Sequence, residues 1–390
     1  LAVTMTNNLN RPTPAVIPSF VAMDMMRDAN RMAAAGRAVI HLETGQPSTK
    51  APLAVREAAT AAIANEMLGY TDALGIPTLR ARIAAYYNAK HGLSIDPDRI
   101  VATTGSSAGL MIAFLALTAP GGRIGMARPC YPCYRNIALA LGMRPVEIAT
   151  GEANGFALTA AALDRLDAPI DVLLTASPAN PTGVVLSPAQ LNKLAGWSRQ
   201  AGVPWVSDEI YHGLAYNGPA ATALDADGDA IVLNGFSKYY SMTGWRLGWM
   251  VVPENRIRAI ECLAQNLYIA PPSVSQYAAL AAFDATEELE INVARYAANR
   301  AMLLDALPRL GFTVPAVPGG AFYIYAQIPA SETDSTVLAQ RLLAETGVAI
   351  TPGIDFDTVD GHRFVRFSYA GATADIAEAI RRLEVWRRSG

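Results

Sequence analysis

The chain has 390 residues, 52% of them apolar and 17% charged, with a formal net charge of −3. A chain of this length buries a large core and most simply forms two domains, and its apolar fraction excludes extensive disorder. Near-neutral charge without a long basic run excludes an electrostatic claim on nucleic acid or an anionic membrane.

Three cysteines, Cys130, Cys133 and Cys262, fit a reducing cytosol better than a disulfide scaffold. The longest apolar stretch, residues 108–120, is too short to span a bilayer. Residues 1–11 lack the basic-then-apolar order of a secretory leader. A soluble, cytoplasmic protein is expected.

Along the chain, Pro12, Pro14 and Pro18 lead into a helix-like stretch over residues 19–36. From Pro52 onward, short apolar runs alternate with Ala-rich helical patterns. Strands are expected at 171–175, 204–207 and 230–234, with a helix at Pro188–Ala201 between the first two. Such alternation implies right-handed crossovers and a mostly parallel sheet. Val172-Leu173-Leu174 and Ile231-Val232-Leu233 lack polar alternation, as strands covered on both faces should. After Glu288 the pattern changes. A helix over residues 288–310 leads to Pro318-Gly319-Gly320, then to an alternating run at 321–325 and another at 362–369. This reads as a smaller α+β unit with a half-exposed sheet. The expected division is a large domain at 48–287 and a small one from 11–47 plus 288–390.

Four lysines occur, and Lys238 is the only charged residue between Ala230 and Trp245. An amine just past a buried strand, flanked by Gly235, Ser237 and Ser241, suits Schiff-base chemistry, because desolvation lowers a lysine pKa. Two other predicted strand ends carry polar groups: Ser177-Pro178-Ala179-Asn180-Pro181-Thr182-Gly183 and Ser207-Asp208-Glu209-Ile210-Tyr211. Ligands of open α/β sheets bind beyond the carboxyl ends of strands, so consecutive strands would bring Asn180, Asp208, Tyr211 and Lys238 to one rim.

In these segments the sequence resembles the class I aminotransferase family, aspartate-aminotransferase-like enzymes of fold type I that use pyridoxal 5'-phosphate (PLP). The resemblance runs from about Gly45 to Tyr369. It rests on Ser237-Lys238 through Met242-Thr243-Gly244-Trp245-Arg246-Leu247-Gly248 and on Asn180-Pro181-Thr182-Gly183 followed by Asp208-Glu209-Ile210-Tyr211. It implies an α/β fold with a mostly parallel, seven-stranded large-domain sheet covered by helices, beside a smaller α+β domain. It also implies roles for individual residues. Lys238 would hold PLP as a Schiff base and carry the substrate proton. Asp208 would pair with the pyridine nitrogen, and Asn180 and Tyr211 with the phenolic oxygen. Arg246, Ser106, Ser107 and Ser237 would meet the phosphate, the serines at 106 and 107 opening a helix where backbone N–H groups favour anions. Tyr131 would stack on the ring, and Tyr70 would reach the phosphate of a second subunit, making a homodimer with shared sites. Arg366 would clamp the substrate carboxylate beside the backbone of Gly45, with Arg363 on the opposite, solvated face of its strand. Many relatives carry Ser or Thr three residues before the lysine; here Gly235 stands there, so one phosphate contact is expected to be missing.

The implied activity is ping-pong transamination between an amino acid and a 2-oxo acid. Its rivals are a PLP-dependent lyase, of the C–S or aminocyclopropane-forming type, and a non-catalytic sensor domain. About forty residues before Gly45 are too few for the DNA-binding module such sensors usually carry. Other patterns compete locally. Gly105-Ser106-Ser107-Ala108-Gly109 fits a hydrolase nucleophile elbow, with His212 or His362 as the later histidine. Cys130-Tyr131-Pro132-Cys133 is a C-x-x-C, read here as structural. No dinucleotide fingerprint or P-loop is present. By analogy with the family, residues 17–20, residues 268–275 and Phe322 line the substrate pocket. Nothing assigns a site for a second substrate carboxylate.

Overall fold

A computed structural model describes residues 16–389. Residues 1–11, Pro12, Pro14 and the expected start of the small domain at 11 lie outside it.

In chain order the strands are β1 (Ile40–His41), β2 (Ile100–Thr103), β3 (Arg123–Arg128), β4 (Arg144–Ala149), β5 (Val172–Ala176) and β6 (Trp205–Asp208). They continue with β7 (Ile231–Gly235), β8 (Gly248–Val251), β9 (Tyr323–Gln327), β10 (Val348–Ala349), β11 (Thr351–Pro352) and β12 (Phe364–Ser368). Seven strands make the main sheet in the order β2-β8-β7-β6-β5-β3-β4. Only β8 runs antiparallel to its neighbours, so the sheet is mostly parallel, as expected. The strands at 172–176, 205–208 and 231–235 fall within a residue of their sequence-based positions, and the helix Pro188–Ala201 matches fully. That helix is well marked locally: Ser187 and Gln190 form a capping box, and Gly202 closes it at φ +66°.

The absence of polar alternation in these strands has a clear cause. Leu173, Trp205 and Val232 pack into one apolar layer, while Val172, Leu174, Val206, Ile231 and Leu233 pack into the layer on the opposite face. Both faces are covered, so both sets of side chains are apolar.

A second sheet, β11-β12-β9, is antiparallel. It is not half exposed as its alternating sequence suggests. All of β12 and Tyr323 to Ala326 of β9 are buried. Ile324, Val365 and Phe367 face helices Thr286–Arg309, Ser335–Thr346 and Thr373–Ser389. On the other face, Tyr325 stacks on Phe364 with ring centroids 4.7 Å apart, closed over by Phe156 and Phe356. Alternation separates two buried environments here, and an aromatic set serves one of them as well as a polar set would serve solvent. Among the described residues, no helix is long and apolar enough to cross a membrane, and no cluster of His, Cys, Asp and Glu could hold a metal ion.

Candidate active site

The parallel register aligns three strand ends. Ala176 of β5 is level with Asp208 of β6, which is level with Leu233 of β7. The chain beyond each strand therefore opens onto one rim, and Asn180, Asp208, Tyr211, Ser237 and Lys238 all line a single cavity of about 240 Å³. Gly45, Ser106, Ser107, Tyr131, Arg246 and Arg366 line the same cavity. Of the residues given a cofactor or substrate role in the sequence, Tyr70 does not join them. It is 84% exposed and contributes nothing to the cavity of its own chain.

Lys238 donates from Nζ to the Gly45 carbonyl at 2.7 Å and lies 5.8 Å from the ring centres of Tyr211 and Phe322. Loss of water around the amine, then the positive fields of Arg366 and Arg246, pull its pKa down to about 8. Gly45 is needed for close approach, not for a turn: a Cβ there would lie 1.6 Å from the Tyr323 hydroxyl.

Asp208 is buried, and desolvation raises its carboxyl pKa. Two donors oppose that shift: the Tyr134 hydroxyl, 2.6 Å from Oδ2, and Ile210 N–H, 3.1 Å from Oδ1. Glu209 does not line the cavity. Its Oε1 accepts from Ala223 N–H, Thr222 and Ser207, and burial pushes its carboxyl up to about 8.

Arg366 enters from β12. It donates from Nη1 to Asn180 Oδ1 at 2.9 Å and from Nη2 to the Glu43 carbonyl. Its guanidinium is held between the rings of Tyr323 and Phe356, at 4.2 and 4.7 Å from their centres. Its Nε is buried without a partner. Arg363, the residue just before β12, is exposed as expected. Tyr211 pairs through its hydroxyl with Tyr323 at 2.8 Å.

At the opposite end of the cavity, Ser106 and Ser107 begin the helix Ser106–Leu117. The preceding Gly105 has φ +82°, and a Cβ on it would lie 2.6 Å from Arg246 Nη2. The bare backbone lets the guanidinium rest against the helix start. Two hydroxyls, a helix N-terminus and an arginine converge there, which is the donor set an organic phosphate requires. With an amine near neutral and a buried carboxylate at the other end, the residues present fit PLP. At Gly235 the crowding explains the missing hydroxyl: a Cβ would lie 3.0 Å from Gly248 Cα and 3.2 Å from the Leu247 carbonyl.

The competing local patterns dissolve. No histidine lines the cavity with Ser107, and the buried His212 is pulled down to about 3 by desolvation. Burial pushes the Cys130 thiol up to about 12 and raises Cys133 as well, the reverse of what a reactive C-x-x-C needs. Within one chain, Phe20 joins the cavity wall, whereas Phe322 and residues 268–275 do not. Sequence reasoning missed Tyr134, Tyr323 and Glu43. Tyr134 was accessible, lying three residues after Tyr131 at the start of a helix; Tyr323 and Glu43 depended on contacts between distant segments.

The model of the family "Aminotransferase class I and II" matches residues 37–383. A valine–pyruvate aminotransferase of Mycobacterium tuberculosis is 49% identical over 376 residues, covering 95% of this chain and 97% of that protein. A crystal structure of an aminotransferase from Mycobacterium tuberculosis superposes with a TM-score of 0.94 at 48% identity, covering 98% of this chain and all of that one. Aspartate aminotransferase from Thermus thermophilus, solved with maleate, gives a TM-score of 0.89 at 30% identity, over 94% of this chain and 96% of that one.

The chain belongs to the class I and II aminotransferase family and has the fold of its fold-type I members. It is a transaminase, an enzyme of amino and oxo acids, and neither the lyase nor the sensor reading finds support among these relatives.

Proposed function

We propose that this enzyme holds PLP on Lys238 and exchanges an amino group between a monocarboxylic, aliphatic L-amino acid and a small 2-oxo acid, with valine and pyruvate as the leading pair. The observation that carries the reading is the amine of Lys238, lowered to about 8, sharing one cavity with the Asp208 carboxyl, the Arg246 guanidinium and the Arg366 guanidinium.

Bound PLP supplies an aldehyde that takes up an amino group and a ring that accepts the electron pair left at the substrate Cα. The chain's own residues do the rest. Lys238, whose amine gives up its proton readily, would hold the cofactor through Nζ and would be the group that takes the proton from the substrate Cα. Asp208, whose carboxyl is raised by burial and held back by the Tyr134 hydroxyl and Ile210 N–H, would face the ring nitrogen. Arg246, Ser106 and Ser107 would bind the phosphate, with Ser237 nearby; Tyr131 would cover the ring, and Asn180 and Tyr211 would serve the phenolic oxygen. Arg366 orients the substrate carboxylate, beside Gly45.

The substrate class is supported by the 49%-identical relative's name and by the wall itself. Among the described lining residues, Lys238, Arg246 and Arg366 are the cations, and each already has a role; Phe20, Ala22, Met23 and Ile210 present apolar surface. The exposed Tyr70 fits a homodimer in which it completes the phosphate site of a second copy. Large and small domains divided near 48 and 287, and a cytoplasmic location consistent with three free cysteines, complete the reading.

Borohydride reduction of the PLP-loaded protein followed by peptide mass spectrometry is the test. Label on Lys238 is expected, and label elsewhere or none refutes the cofactor assignment. A donor panel with pyruvate then ranks valine against aspartate and phenylalanine; preference for aspartate overturns the substrate class.

A further inference from the structure

Helix α1 (Val21–Ala34) starts without a cap of its own, since its N-cap residue is Phe20 and no local side chain accepts from its first turn. The acceptor comes from the far end of the chain. Asp355 takes Val21 N–H on Oδ1 at 3.1 Å and Ala22 N–H on Oδ2 at 3.0 Å. Asp355 is 2% exposed and fixed from several directions. Its carbonyl accepts from Arg135 Nη2 at 3.1 Å, and Arg135 is paired with Glu147 at 3.0 Å. The next residue, Phe356, accepts from Cys130 N–H at 3.0 Å and lays its ring 4.7 Å from the Arg366 guanidinium carbon.

The residues held by this anchor belong to the cavity wall. Phe20, Ala22 and Met23 line it, and Phe20 meets Tyr131 edge-on with centroids 5.8 Å apart. The turn that presses on the carboxylate-holding arginine thus also fixes the apolar wall facing it.

We infer that Asp355 is a positioning residue for substrate specificity: by clasping the start of α1 it holds Phe20 and Met23 at a set distance from Arg366 and limits the length of the substrate side chain. The inference rests on the proposed substrate class and deepens it. Asp355 makes no hydrogen bond to Lys238, Asp208 or Arg366; its charge reaches Arg366, and that part of its loss falls on every donor alike, whereas the loss of fit does not. The remainder of α1 stays packed through Met25 and Ala29, which are buried.

The test compares wild type, Asp355→Ala and Asp355→Asn, all PLP-loaded. Asp355→Ala leaves two buried N–H groups without an acceptor, and kcat/KM for valine is expected to fall roughly tenfold through KM, with kcat held within about twofold. Phenylalanine is expected to lose less or to gain, so the valine-to-phenylalanine ratio shifts. Asp355→Asn keeps one acceptor oxygen and restores part of the ratio. Hydrogen exchange in a peptide spanning residues 19–30 is expected to rise in Asp355→Ala. An unchanged donor ratio in a folded Asp355→Ala protein, or a loss in kcat for every donor alike, overturns the inference. If the wild type prefers aspartate, the substrate reading fails by itself; the exchange measurement still decides the anchor, and unchanged protection refutes it.

Discussion

The Tyr134 hydroxyl donates to Asp208 Oδ2 at 2.6 Å, from a helix on one flank of the sheet to the end of a central strand. It is one of the groups that keep a desolvated carboxyl from rising further. Tyr134→Phe removes that donor without changing the packing of the ring. The Asp208 pKa then climbs, so the acidic limb of the pH–kcat profile is expected to move to higher pH. A hydrogen bond to a charged group contributes about 1.5–3 kcal/mol, so kcat near neutrality is expected to drop by roughly tenfold or more. An unmoved acidic limb would show that Asp208 does not govern it.

Lys238 titrates near 8 instead of the ordinary 10.5, with desolvation the larger cause and Arg366 the next. Its neutral, nucleophilic form therefore appears about 2.5 pH units earlier than for a solvated lysine. In cofactor-free enzyme the rate of PLP capture is expected to rise with pH and level off above about 8. Stopped-flow absorbance across roughly pH 6–10, about two units either side of that midpoint, checks this. Arg366→Ala removes the second-ranked cause and is expected to move the midpoint upward.

Arg366 is bound to Asn180 and the Glu43 carbonyl and flanked by two aromatic rings. A lysine there keeps charge but loses the planar fork. Arg366→Lys is expected to lower kcat/KM for α-amino acids by roughly 10- to 100-fold, as for one lost charged hydrogen bond. Simple amines without a carboxylate, assayed as slow donors, should be affected far less. Equal losses for both would remove Arg366 from carboxylate binding.

Gly45→Ala places a methyl group onto the Tyr323 hydroxyl, a clash that only movement can relieve. Overpacking of this kind costs about 1–3 kcal/mol. A lower Tm and a lower kcat are expected, since Lys238 donates to the same residue's carbonyl. Tyr323→Phe in the same chain removes the clashing oxygen and is expected to recover part of the Tm; no recovery would place the damage elsewhere.

Gly235→Ser would supply the hydroxyl that many relatives carry. The space is closed on three sides, by Gly248 Cα at 3.0 Å, Ile210 Cδ1 at 3.1 Å and the Leu247 carbonyl at 3.2 Å. Lower stability, by about 1 kcal/mol, and no gain in PLP affinity are expected from thermal unfolding and equilibrium dialysis. Tighter PLP binding at unchanged Tm would mean that β8 yields.

The central strands, the order of the polar strand ends and the isolation of Lys238 were legible in the sequence because each is local. A buried strand needs an unbroken apolar run, and a parallel sheet sends every strand end to the same rim. Asn180, Asp208 and Lys238 follow from chain order once those strands are recognised. Tertiary structure alone decided the rest. The sheet of β9 and β12 reads as half exposed because alternation reports two different environments, not which of them is water; here aromatic residues and helices fill both. Gly45 reads as a turn until Tyr323, 278 residues later, occupies the space where its Cβ would stand. The cap of α1 lies 333 and 334 residues away, at Asp355. Such contacts leave no trace in spacing or composition, since the side chains that meet lie on segments hundreds of residues apart that only the fold brings together.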